Sequence, residues 1–73
     1  MNTPAWKRYV ARLGVDSWGL DALAIEKLLA RIEALASVGE LTDSAVARVL
    51  LRAGVAESAA DLMAPSIRVA MSA

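Results

Sequence analysis

No cysteine, histidine, phenylalanine or glutamine occurs among the 73 residues, and Asn2 is the sole asparagine. Each absence removes a class of chemistry. Without cysteine there is no disulfide, no thiolate metal ligand and no thiol nucleophile. Without histidine the commonest metal ligand is gone, as is the side chain that titrates near neutral pH. The amides that read adenine edges are nearly missing too. Ser17, Ser37, Ser44, Ser58 and Ser66 therefore have no imidazole to activate them, and Lys7 and Lys27 are the only lysines. Glu26 and Glu33 fall on the outer side of a helix with no sign of a cleft. The glycines do not cluster into a phosphate loop, and no set of acids converges as a calcium loop requires. The expectation is a non-enzymatic protein with no cofactor and no metal.

Aromatics are scarce as well: Trp6, Tyr9 and Trp18 make up 4% of the chain, while hydrophobic residues make up 58%. Small aliphatic side chains in such numbers point to helices that approach closely. They also imply an apolar face left over for a partner or a second copy. Formal net charge is +0, so no global field draws the chain toward nucleic acid or an anionic membrane. The distribution is uneven. Lys7, Arg8 and Arg12 precede Gly14 with no acid among them. From Asp16 to Asp43 the acids Asp16, Asp21, Glu26, Glu33, Glu40 and Asp43 outnumber Lys27 and Arg31. Charges interrupt every apolar run before the roughly 20 residues of a membrane span. The first residues lack the long apolar core of a secretory signal. A complete, cytoplasmic polypeptide is the expectation.

With only two prolines and four glycines, the pattern is helical throughout. Thr3 as cap and Pro4 at the first helical position open a helix whose apolar stripe is Trp6, Tyr9, Val10 and Leu13, and Gly14 is placed to end it. Asp16 or Ser17 would cap a long second helix ending at Gly39. Its stripe of Leu20, Ala24, Ile25, Leu28, Leu29, Ile32, Leu35 and Ala36 covers about half the circumference, wide enough for neighbours on two sides. Lys27 and Arg31 are like charges at i,i+4, so tertiary packing must hold this helix. Thr42 and Asp43 start a third helix with Val46, Val49, Leu50 and Ala53 inward. Arg48 and Arg52 lie toward its negative end, and Gly54 stops it. Ser58 with Asp61 fits a capping box, and Pro65 predicts a break in a last segment carrying Leu62, Met63, Ile67, Ala70 and Met71. The expected fold is all-α: a single domain over 1–73, a compact bundle of four to five short helices with one longer central helix. The helices are expected at about 4–13, 18–38, 43–53, 58–64 and 65–71. Arg12, Gly14, Val15 and Asp21 are echoed by Arg52, Gly54, Val55 and Asp61, a spacing also typical of ordinary helix corners.

Three functional readings compete. The two Gly-Val corners have the form of a helix-turn-helix nucleic-acid-binding regulator. However, the helices that follow open with DSWGLDALA and AESAADLMA, which carry acids and no cation or amide. The stretch GVDSW at Gly14–Trp18 resembles the G-x-D-S-L of acyl and peptidyl carrier proteins. That resemblance implies a phosphopantetheine arm on Ser17, at the start of the second helix. The likeness covers about five residues, has Trp18 in place of leucine, and leaves sixteen residues before the serine where that family has a long helix and a loop. The reading that best fits the whole chain is a protein–protein interaction module: a small regulator, docking subunit or inhibitor of a larger assembly. Its partner is another protein or a second copy as a homodimer or larger oligomer. The candidate partner-binding residues are Trp18, at a cap-to-helix junction, and Lys7, Arg8 and Arg12.

Overall fold

The computed structural model describes residues 4–72. Among these are four α-helices and no strand: α1 (Ala5–Asp16), α2 (Ala22–Ser37), α3 (Asp43–Arg52) and α4 (Glu57–Ser72). Thr3, the expected first cap, lies outside the described residues. Pro4 occupies the cap position itself, and its carbonyl accepts from the Lys7 and Arg8 amides at 3.1 and 3.3 Å.

Gly14 does not end α1. It lies inside the helix, fully enclosed, and a methyl built on its α-carbon would stand 2.8 Å from Ile25 Cγ1. The glycine is there because α2 crosses α1 at that point, not because the backbone must turn. The same approach rotates α1 about its axis: Val10 and Gly14 are buried, whereas Tyr9, expected in the core stripe, is 39% exposed. The corner comes later, at Gly19 (φ 61°), where the Leu20 amide reaches back to the Gly14 carbonyl at 2.9 Å. Helix α2 consequently starts at Ala22, not near residue 18. Its cap is Asp21, whose carboxylate accepts from the Ala24 amide at 2.7 Å; neither Asp16 nor Ser17 serves.

Helices α2 and α3 end alike. Gly39 and Gly54 adopt φ of 73° and 102°, and the residue after each donates back to the carbonyl five positions earlier: Glu40 to Leu35 at 2.9 Å, Val55 to Leu50 at 3.0 Å. This closure satisfies carbonyls the helix would otherwise strand. At the second of these corners it also folds Val55 onto the core beside Leu50. Thr42 caps α3 by accepting from the Ala45 amide at 3.1 Å.

Helix α4 runs unbroken through Pro65, and the expected pair of short helices is one helix of 16 residues. Ser58 lies within its first turn rather than ahead of it, so the expected capping box does not form. Asp61, whose carbonyl loses its donor to the proline, and Pro65 itself both face solvent. On the opposite side Ala60, Ala64 and Ile67 are fully buried. Complete burial contributes about 1.5–3 kcal/mol for Ile67 and about 0.8 kcal/mol for each alanine methyl, together comparable to the ~3 kcal/mol a mid-helix proline costs. Packing therefore carries the helix across the break. The buried side is set by these three residues, and Leu62, one of the apolar residues carried by the expected last segment, is 74% exposed.

Helices α2 and α4 are equal in length, and no single longer helix occupies the centre. The packing is cyclic: α1 lies against α2 and α4, α3 lies against α2 and α4, and the diagonal pairs face each other across the core without close backbone approach. The core between them is Val10, Leu28, Ile32, Val46, Leu50, Val55, Ala60, Ala64 and Ile67, with no buried polar or charged residue. The residues echoed at Gly14 and Gly54 sit in different environments, one inside a helix and one in a left-handed turn. No helix among the described residues is long and apolar enough to cross a membrane.

Candidate functional site

The candidate residues of the N-terminal half are not brought together. Lys7 turns toward its own fold: its Nζ lies 2.9 Å from Glu33 Oε2 on α2 and 5.7 Å from the centre of the Trp6 ring. Arg8 and Arg12 stand exposed on the outside of α1. Trp18 is half-buried and packs against the core at the α1–α2 corner. Ser17 closes α1, its amide donating to the Leu13 carbonyl at 2.9 Å. It is not at the N-terminus of α2, where the carrier-protein resemblance would require it.

The most developed concavity lies between α2 and α3. It is an open hollow of about 450 Å³ with a floor of Ala34, Leu35, Val38, Ala45 and Val49. Arg31 rises on one side, and Arg48 and Arg52 rise on the other. A second hollow of about 310 Å³ continues it toward the start of α2, shares Arg31, Val49 and Arg52, and adds Lys27, Leu23 and Asp21. The two form one groove. Its floor is apolar because the broad stripe of α2 is only partly used: Ile25, Leu28 and Ile32 are buried against the core, while Leu35 is half-buried and Val38 lies open. The stripe has the two neighbours its width predicts, α1 and α3, and the groove opens on the side where α3 lies.

The groove's charge is one-sided. Four of the chain's eight cations line it, against Asp21 alone of the eight acids. The cations come as two pairs, Lys27/Arg31 on α2 and Arg48/Arg52 on α3, each at i,i+4. Such like-charged spacing costs an isolated helix about 0.2–0.5 kcal/mol per pair. Among the described residues none of the four is in an ion pair; the two that exist join Lys7 to Glu33 and Arg68 to Asp43. Sequence inspection finds the two pairs but cannot place them opposite each other, because that depends on how α2 and α3 cross. Among the described residues no group of three or more acidic side chains is arranged to hold a metal ion. An apolar furrow between cationic margins is suited to binding an apolar, anionic surface. No family profile, curated protein or solved structure matches this chain.

Proposed function

We propose that this protein is a non-enzymatic protein–protein interaction module, acting as a regulator, docking subunit or inhibitor of a larger assembly. The observation that carries the reading is the α2–α3 groove, which combines an apolar floor with unpaired cations on both margins. Helix-in-groove recognition uses such a surface: apolar anchors on one face of an incoming helix seat in the furrow, and flanking charges set its direction. Arg8 and Arg12, exposed on α1, are further candidate contact residues, whereas Lys7 is held by Glu33 and Trp18 packs against the core. Nucleic acid is the rival from another class, favoured by the same four cations. It is disfavoured by the apolar floor, since phosphate contacts need no such surface.

A photo-crosslinking amino acid at Ala34, on the groove floor, tests the reading in the native host. A discrete protein adduct is expected there and not from Glu26, exposed on α2 away from the groove. Equal labelling from both positions, or adducts to nucleic acid alone, would overturn it. Binding that collapses steeply with salt would point the same way.

A further inference from the structure

We propose that the α2–α3 groove is occupied by α4 of a second copy of this chain. The proposal rests on the interaction-module reading and names the partner for its groove. Three observations lead to it.

First, the chain's charge is segregated although its sum is zero. The groove holds four cations against one acid, so the remaining surface carries seven of the eight acids. The acid in the groove, Asp21, already accepts from the Ala24 amide as the cap of α2. A neutral molecule divided in this way is complementary to itself.

Second, the outward face of α4 has the character the groove calls for. Leu62 and Val69 are 74% and 60% exposed. They lie seven residues apart, two turns or about 10.5 Å along the helix. The groove runs beside the 10 residues of α3, about 15 Å, so both side chains fit within its length. Glu57 and Asp61, both exposed and four residues apart, flank Leu62 and Val69 on one side of the helix, Asp61 about 100° around from Leu62. The one cation of α4, Arg68, is held by Asp43 of the same chain. The face therefore presents apolar and acidic groups without an unpaired cation.

Third, the contact cannot be made within one molecule. The backbone of α4 approaches α3 and α1 but not α2, which it meets only across the core, so α3 stands between its outward face and the groove. Groove and α4 face are different patches, and the pairing is head-to-tail. It extends as a filament or closes as a ring, according to the rotation between copies.

Size-exclusion chromatography with light scattering, from micromolar to millimolar protein, tests this on the full chain. The expected mass climbs with concentration from the 7.7 kDa of one chain to about twice that or more. It falls again as salt screens the exposed charges. Arg48→Glu with Arg52→Glu makes both patches acidic, and Glu57→Arg with Asp61→Arg makes both basic. Each double variant is expected to be monomeric alone, and an equal mixture of the two is expected to associate. Leu62→Asp, at an exposed position, should also be monomeric, with helix content by circular dichroism confirming that it folds. A wild-type protein that stays monomeric at every concentration overturns the proposal, as does association that survives both charge reversals. Dispersal of the assembly by a short oligonucleotide that binds more tightly would also overturn it. A monomer that still crosslinks to another protein from Ala34 would refute only this proposal and leave the interaction-module reading standing.

Discussion

Gly14 sets the separation of α1 and α2 by having no side chain. A methyl at that position would lie 2.8 Å from Ile25 Cγ1 and 3.1 Å from Cδ1, and Ile25 is itself only 7% exposed. Gly14→Ala sets two effects against each other. Alanine gains about 1 kcal/mol of helix propensity over glycine, while crowding a packed interior costs about 1–3 kcal/mol. The clash involves an inner atom of a buried side chain, so the loss prevails: a net destabilisation of about 1 kcal/mol is expected by urea denaturation. A midpoint equal to or above that of the wild type would show that Ile25 rotates away freely. Glycine reads ambiguously in a sequence for this reason. At Gly39 and Gly54 it supplies a left-handed turn, and at Gly14 it supplies room. Only the position of the neighbouring helix distinguishes the two uses.

At the scale of elements, local signals decide where they agree and packing decides where they conflict. Helix α3 was legible almost to the residue, because Thr42, Asp43 and Gly54 all bear on its ends and nothing competes. The junction of α1 and α2 was not. Asp16, Ser17 and Asp21 are all capping residues, and only the continuation of α1 through its contact with Ile25 selects Asp21. In α4 the local preference of proline is overruled by three buried side chains. Pro65→Ala should accordingly stabilise the protein. The residue is exposed, so no packing is lost, and the Asp61 carbonyl regains a donor. Of the roughly 3 kcal/mol a mid-helix proline costs, up to about 1 kcal/mol is offset by the unfolded-state freedom that alanine restores. A rise of about 2–3 kcal/mol in unfolding free energy is expected; no rise would mean that α4 has already relaxed around the proline. The groove was half legible. Lys27 and Arg31 stand in the sequence as a like-charged pair and Arg48 and Arg52 as cations suited to the end of α3, but their convergence belongs to the crossing of two helices.

For the molecule as a whole, the distribution of packing matters more than its amount. The Cα envelope measures 30 × 27 × 17 Å, and helices pack about 8–10 Å apart, so the short dimension holds one layer of core side chains. Within the cycle of four contacts, α3 against α4 is the most extensive, and α2 is held only by α1 and α3. Native-state hydrogen exchange should follow that order. Amides of α3 and α4 near Leu50, Ala64 and Ile67 are expected to exchange only through global unfolding, and those of α2 through smaller local openings. Protection of α2 equal to that of α4 would mean that all four helices act as one cooperative unit.

The same asymmetry bears on how the chain is made. Helices α3 and α4 are joined by only Ala53–Ala56, so bringing them together closes a short loop at little entropic cost. They also leave the ribosome after α1 and α2. Helices α1 and α2 emerge first yet have the smaller share of packing, with Val10, Leu28 and Ile32 uncovered until the C-terminal pair arrives. Folding is therefore expected to start downstream and proceed backward along the chain. A growing polypeptide stalled before Asp43 would expose the apolar sides of two unfinished helices, the stage of synthesis at which a chaperone has the most to shield.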